Sequence, residues 1–271
     1  TSKDEVIKSD CSYYIANCAV RLNQQNADDL IEKFVAEYPT STKRNTAFMD
    51  VGDYYYENSR YSYAKKWYDK VDEESLARSE REDYNFKMGY VAFATKNYKQ
   101  AKKYFSRVEN SQKHGSQAKY YIGFMAYEGD DYDTANEYFD QVSDNERYQE
   151  GLSYYQADLN FKLGNFEKAI QLAEEQLPTS NDNEVSELSK IIGESYFNLE
   201  KYAEAIPYLS EYKGTLIIVS HDRDFLDNVA TSILSFEGNG ELFSNLGGYS
   251  DYIAYKENNE SEKVTIKMNE I

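Results

Sequence analysis

Residues 89–105 have the sequence GYVAFATKNYKQAKKYF, and the spacing inside this stretch recurs along the chain. Gly89 is followed twelve positions later by Ala101, and the aromatic Tyr98 stands three positions before that alanine. A polar pair, Lys96-Asn97, separates the two halves, and the apolar residues on each side follow helical spacing. The stretch therefore predicts two helices joined by a tight turn, with the small residues placed where the helices cross closely.

The offset of twelve occurs five times, between successive small residues that lie 37, 34, 34 and 36 positions apart. The five pairs are Gly52 and Ala64, Gly89 and Ala101, Gly123 and Ala135, Ala157 and Ala169, and Gly193 and Ala205. A helix pair of this size has too little surface to fold alone, so the pairs are expected to stack into a solenoid. A degenerate unit at 11–39 is expected to precede them, since its helical pattern ends at Pro39.

This spacing resembles the tetratricopeptide (TPR) repeat family, with its period near 34 residues and an aromatic after the alanine, as at Tyr68 and Phe105. The resemblance covers about 11–212, and the acidic, tyrosine-rich composition is similar to long TPR proteins of Bacteroidetes-type bacteria. It implies an all-α superhelical TPR array over 1–213, whose first helices line a concave groove. Such a groove would bind a protein or peptide.

Two departures from the repeat pattern occur near its end. Ala173 and Leu209 stand where the earlier units have their later aromatic residue.

The groove is expected to be lined by aromatic side chains and to have a negative electrostatic potential. An aromatic stands four residues after each small residue, and three units have another three residues before it, which places both on one helix face. The candidate groove residues are Tyr56, Phe86, Phe93, Tyr120, Tyr127, Tyr154, Phe161 and Phe197, with the acids Asp53, Asp158 and Glu194 among them. These favour a basic partner with apolar anchors. The competing interpretation is that the aromatics are interhelical core.

Composition excludes several classes of partner. The chain has 48 acidic and 30 basic side chains, with a formal net charge of −18, which disfavours nucleic acid and anionic membranes. There is no apolar run of about 18 residues and no signal-peptide pattern after Thr1, so no membrane span is expected. With only His114 and His221 as histidines, no metal site or cofactor is expected.

Two cysteines leave the compartment, periplasmic or cytoplasmic, open. Cys11 and Cys18 are seven positions apart, which is two turns of one helix and too far for a disulfide between them.

The sequence changes character at Gly214. Thr215–Val219 is a continuous apolar run that predicts a buried strand, and a short helix is expected near 223–230. The Gly238-Asn239-Gly240 turn predicts a β-hairpin, followed by a last helix and a polar tail at 259–271. The expected ending is a small α/β appendage of strand, helix, β-hairpin and helix.

This ending, 214–258, resembles the end of the nucleotide-binding domain of ABC-F ATPases, most closely over 215–256. The resemblance implies that His221, in Ser220-His221-Asp222-Arg223, is the switch histidine that contacts the terminal phosphate of ATP. No GxxxxGK[ST] phosphate loop occurs in the sequence, so neither ATP binding nor hydrolysis is expected. Two unrelated coding pieces are thus joined near Gly214, by natural fusion, by engineering or by an assembly error.

The expected function is a non-enzymatic scaffold or adaptor that binds a peptide or a partner domain in the groove. An ATP-binding protein of the ABC-F type is the first alternative, and an architectural spacer is the second.

Overall fold

The computed structural model describes residues 3–238 and 241–258, and the regular secondary structure of this part is helical apart from one β-hairpin. The helices are α1 (Lys3–Arg21), α2 (Ala27–Glu37), α3 (Lys43–Glu57), α4 (Tyr61–Tyr68), α5 (Arg78–Ala94), α6 (Tyr98–Phe105), α7 (Gly115–Glu128), α8 (Tyr132–Asp140), α9 (Glu146–Lys162), α10 (Phe166–Gln176), α11 (Asp182–Asn198), α12 (Tyr202–Leu209), α13 (Arg223–Val229) and α14 (Tyr249–Asn258). The strands are β1 (Ser232–Gly238) and β2 (Glu241–Leu246). The expected all-α fold with a small C-terminal appendage is confirmed.

The helices form two compact units, Thr1–Asn145 and Glu146–Ile271. The first unit contains the hairpins α1/α2, α3/α4, α5/α6 and α7/α8, and the second contains α9/α10, α11/α12 and the appendage. The sequence boundary at Gly214 lies inside the second unit, where α12 contacts α13.

Each glycine of the repeat lies at a crossing of two helices. A Cβ atom on Gly89 would come within 2.7 Å of the Phe105 ring, and one on Gly52 within 2.4 Å of the Tyr68 ring. Gly123 and Gly193 face Phe139 and Leu209 at 2.7 and 2.5 Å in the same way. The facing side chain always stands sixteen positions after the glycine, so the glycine leaves the space that this large side chain fills.

The unit at Ala157 shows the opposite combination of sizes. Its small residue already carries a methyl group, and the residue sixteen positions later is Ala173; both are fully buried in one hydrophobic cluster. Ala173, a departure in the repeat pattern, therefore compensates in volume for Ala157.

The turn of every hairpin contains a residue with positive φ, seven positions after the small residue. These residues are Ser59, Lys96, Asp130, Gly164 and Glu200, with φ between 57° and 76°. Asn23 has φ 52° and stands seven positions after Ala16, which is 1% exposed. Ala16 is therefore the small residue of the first hairpin, and the degenerate unit shares the geometry of the other five.

The apolar run Thr215–Val219 does not form the buried strand that was predicted; it has no regular secondary structure. Leu216 and Ile218 pack against the cluster around Leu209, whereas Ile217 and Val219 are 90% and 86% exposed. A central strand needs neighbouring strands on both sides, and the described part of the chain has only the β1–β2 pair. Only alternate side chains of the run are therefore covered.

The rest of the appendage follows the predicted order. β1 and β2 form an antiparallel pair in which Ser232 lies opposite Leu246. Phe243 of β2 packs on Tyr252 of α14, with ring centroids 6.1 Å apart. The predicted turn residues Asn239-Gly240 and the polar tail 259–271 lie outside the described residues.

Candidate functional site

The five aromatics that stand four residues after each small residue pack on the second helix of their own hairpin. Tyr56 and Phe93 also contact rings of the next hairpin, and Phe197 contacts Phe225. Each lies beside the aromatic that begins the second helix, with ring centroids 5.5 to 6.2 Å apart. The pairs are Tyr56–Tyr61, Phe93–Tyr98, Tyr127–Tyr132, Phe161–Phe166 and Phe197–Tyr202. These rings are half-buried and close the turn end of each hairpin, so their geometry has a packing explanation.

The aromatics three residues before the small residue differ among themselves. Phe86 is only 6% exposed and stacks on His114 with centroids 4.4 Å apart, so it belongs to the core and its assignment to a groove wall is wrong. Tyr120 and Tyr154 are half-buried, and Tyr120 lies 6.3 Å from Phe139. The His114 side chain that stacks on Phe86 is largely covered and lies 2.6 Å from Asp83.

The three acids of the predicted groove have different environments. Asp53 accepts a hydrogen bond from the Tyr68 hydroxyl at 2.6 Å and forms an ion pair with the Lys87 ammonium at 2.7 Å. Asp158 lies 3.1 Å from the Lys162 ammonium on its own helix. Glu194 is half-buried in the second unit, and burial raises the pKa of its carboxyl group.

The first unit contains a cavity of about 730 Å³ between α3, the 72–76 loop and α5, called here the acidic pocket. Its charged lining consists of the carboxylates Asp50, Asp53, Asp72, Glu80 and Asp83 and the cations Arg44, Lys70 and Lys87. Met49 and Leu76 add apolar surface to this lining. Acids outnumber cations, so the pocket favours a positively charged guest.

Helical periodicity places these side chains on one wall. Thr46, Met49 and Asp53 follow one another at intervals of three and four on α3, and Glu80, Asp83 and Lys87 repeat the same intervals on α5. Residues at these intervals lie on one helix face. The pocket is thus lined by the first helices of two successive hairpins and by the 72–76 loop between them.

The carboxylates of the pocket differ in how far their charge is neutralised. Asp50 accepts hydrogen bonds from the Tyr13 hydroxyl and, at 2.8 Å, from the Asn17 amide. Glu80 accepts at 2.9 Å from the backbone N–H of Ala77, in front of α5. These donors are uncharged, so both carboxylates contribute negative charge to the pocket.

Asp83 is held by Lys113 and His114. Burial alone would raise the pKa of its carboxyl group, but hydrogen bonds from Lys113 and His114 outweigh burial and lower it. Asp83 therefore stays ionised at neutral pH and anchors the start of α7 to α5.

Of the pocket residues, Asp53 is the one that the sequence pattern predicts. Two others, Asp50 and Lys87, follow from a regular contact between the first helices of successive hairpins. The residue directly after the small residue of one hairpin contacts the residue two positions before the small residue of the next hairpin. Asn17 meets Asp50, Asp53 meets Lys87, and Tyr90 meets Tyr121 with ring centroids 5.4 Å apart. We call these three contacts the inter-hairpin ladder.

The switch-histidine candidate has a local structural setting. His221 is exposed, and its neighbour Asp222 caps α13 by accepting from the Phe225 N–H at 2.7 Å. Ser220 accepts in turn from the Asp222 N–H at 3.1 Å. The Ser-His-Asp stretch thus shapes the entry into α13.

The described residues also contain no group of three or more His, Cys, Asp or Glu side chains arranged to hold a metal ion. Across 3–238 and 241–258, no helix has the length and apolarity to cross a bilayer.

Family comparisons agree with the repeat geometry. Tetratricopeptide repeat models match residues 10–41, 83–111 and 126–184. The solved structure of MamA AMB-1 aligns with a TM-score of 0.53 and 17% identity, over 62% of this chain and 89% of that one. A second crystal form of MamA AMB-1 gives a TM-score of 0.51 and 18% identity, over 61% of this chain and 94% of that one.

Curated relatives match only a short stretch. The ATP-binding protein Uup-like of Haemophilus influenzae is 56% identical over 43 residues, which is 16% of this chain and 9% of that protein. The ATP-binding protein Uup of Escherichia coli is 41% identical over 56 residues, 18% of this chain and 9% of that protein. The chain thus spans less than a tenth of the length of these relatives.

Repeat arrays of this kind are protein-interaction scaffolds. The glycine crossings, the recurring turns and the family models lead to one conclusion. The chain carries tetratricopeptide repeats together with a short ABC-F-like fragment.

Proposed function

We propose that this protein is a non-enzymatic adaptor that binds a peptide segment containing lysine or arginine in the acidic pocket. The observation that carries the proposal is the charge of the lining, five carboxylates against three cations. Asp50 and Glu80 receive their hydrogen bonds from uncharged donors, so they are available to a cation. A concave site lined mainly by one sign of charge focuses its electrostatic potential and attracts a cation more strongly than an open surface does.

The size and the apolar part of the lining favour a peptide over a simple cation. A volume of about 730 Å³ is within the usual range for ligand pockets and accommodates several side chains. Met49 and Leu76 can cover the aliphatic stem of a lysine or arginine while its head group meets the carboxylates.

Fluorescence anisotropy with the full chain tests the proposal. The probes are a short fluorescent peptide of lysine, alanine and leucine and its counterpart with glutamate in place of lysine. We expect the lysine peptide to bind at least about tenfold more tightly and to weaken as salt is added. Equal affinities, or a preference for the glutamate peptide, would contradict the proposal.

The ABC-F-like segment supports ATP binding as a second candidate, but its chemistry is incomplete. The sequence lacks the phosphate loop that cradles the nucleotide, and His221 is exposed beside a seven-residue helix. We therefore expect no change in the anisotropy of a fluorescent ATP analogue in the presence of this chain. A saturable rise would restore the ATP-binding candidate.

A further inference from the structure

Helix α1 has an exposed apolar stripe on the side opposite its core face. Tyr13, Ala16 and Val20 are buried in the core of the first unit. The stripe consists of Ile7, Cys11, Tyr14, Ile15, Cys18 and Leu22, all of them exposed. At 3.6 residues per turn, these six positions lie in a sector of about 100°. A helix that is apolar on two sides is typical of one that is covered on both.

The order of residues in the α1 stripe is symmetric. Successive members are separated by four, three, one, three and four positions, so the pattern is the same in both directions about the midpoint between Tyr14 and Ile15. The Leu22 N–H bonds to the Cys18 carbonyl at 2.9 Å, which extends the helical path to the end of the stripe. A symmetric stripe is complementary to a second copy of itself in the antiparallel direction.

We propose that two copies of this chain associate through α1, antiparallel, about a two-fold axis between Tyr14 and Ile15. In this register Ile7 of one copy meets Leu22 of the other, and Cys11 of each copy meets Cys18 of the other. Packed helices have axes about 8–10 Å apart, which brings facing residues close to the Cα separation of about 4.4–6.8 Å that a disulfide spans. One helix stripe is a small interface, so the dimer forms in a concentration-dependent way.

Association is tested by light scattering coupled to size-exclusion chromatography on the full chain in reducing buffer. We expect the molar mass to rise towards that of a dimer with concentration. Ile15→Lys places a charge beside the axis and abolishes the rise, and circular dichroism checks that its helicity is kept. The matched control is Val6→Lys, at an exposed apolar position of α1 outside the stripe, which leaves the rise unchanged. A wild-type monomer at every concentration, or dimerisation of the Ile15→Lys variant, would overturn the proposal.

Oxidation with diamide tests the register. Two thiols give up two protons and two electrons to diamide, which becomes the hydrazine, and one S–S bond forms between copies. We expect a covalent dimer from the wild type and at least tenfold slower cross-linking in Cys11→Ser and in Cys18→Ser, because each remaining thiol then faces a serine. A control that combines Val6→Cys with Cys11→Ser and Cys18→Ser measures the rate of cross-linking by random collision. Single variants that cross-link as fast as the wild type would overturn the antiparallel register, since parallel packing pairs each cysteine with itself.

Discussion

The ammonium group of Lys87 lies 2.7 Å from a carboxylate oxygen of Asp53, and this contact joins the first helices of two successive hairpins. Asp53 also accepts from the Tyr68 hydroxyl of its own hairpin. The Asp53 carboxylate thus contacts both the second helix of its own hairpin and the first helix of the next hairpin. The same residue lines the acidic pocket, so the packing of the repeats and the proposed binding site depend on each other.

A double-mutant cycle on Asp53→Asn and Lys87→Met measures this contact in the free energy of unfolding. We expect a coupling of about 0.5–1 kcal/mol, because both side chains are only about a quarter exposed. The comparison pair is Lys65 of α4 and Asp69, which directly follows that helix; the two are 2.5 Å apart and 40–48% exposed, and at most about 0.5 kcal/mol is expected. If the Asp53–Lys87 pair shows no measurable coupling, this contact does not hold the two helices together.

The same substitution at two helical glycines should change stability in opposite directions. Gly151→Ala, with no heavy atom within 4 Å of the new methyl group, should raise the free energy of unfolding by about 0.5–1 kcal/mol. Gly89→Ala should lower it by about 1–3 kcal/mol, because its methyl group would lie 2.7 Å from the Phe105 ring. Urea denaturation measures both, and a stabilised Gly89→Ala would contradict the crossing geometry.

Phe225 should hold the appendage to the final hairpin of the second unit. It is fully buried and packs on Phe197 and Tyr202, with ring centroids 5.2 and 5.5 Å apart. Phe225→Ala should destabilise the contact between the appendage and this hairpin by about 3–5 kcal/mol and make the 211–222 segment sensitive to protease. Leu234→Ala, at an exposed position of β1, is the control and should leave cleavage unchanged. Equal cleavage of the two variants would refute the anchoring role.

The first unit should unfold in alkali together with ionisation of its tyrosines. Burial raises the pKa of Tyr55 and Tyr90 from 10.0 to about 12, helped in Tyr55 by the hydrogen bond to Asp28. Because the folded state holds these protons more tightly, their contribution to stability is complete below pH 10 and is lost as the pH rises through 12.

Far-ultraviolet circular dichroism and phenolate absorbance, followed in one titration, check this. We expect helix loss and a cooperative rise in absorbance at the same pH, and a higher midpoint for Tyr55→Phe. Tyr63→Phe, at an exposed ring, should leave the midpoint in place. Tyrosines that ionise near pH 10 in a chain that keeps its helices would contradict the pKa shifts.

The repeat architecture could be predicted from sequence because close helix crossings exclude side chains and therefore require a small residue at a fixed position of each repeat. A crossing at Gly89 forbids any side chain there, and the facing Phe105 fills the volume. The degenerate first unit was harder, since its marker is the left-handed turn at Asn23 rather than a glycine. Ala16 could have been found by counting back seven positions from that turn.

The site was less predictable because its side chains meet across hairpins. An aromatic such as Phe93 has the same spacing whether it lines a groove or packs between helices, and only its contacts with Tyr98 and Tyr121 distinguish the two. The strand prediction at Thr215–Val219 was wrong for a related reason. Its apolar pattern is typical of a sheet interior, and pattern alone does not show whether neighbouring strands are present.

The central claim, that the acidic pocket binds a basic peptide, is tested most directly by the affinity of an Asp50→Asn/Glu80→Gln variant for the lysine peptide. Both changes remove charge at nearly constant shape and keep an oxygen to accept the existing hydrogen bonds. The control, Glu184→Gln, alters a glutamate that bonds to the backbone in front of α11 in the second unit, as Glu80 does in front of α5.

We predict that the double variant weakens binding at least about tenfold, while the control binds within about twofold of the wild type. Equal weakening in both, or none in the double variant, would contradict the account.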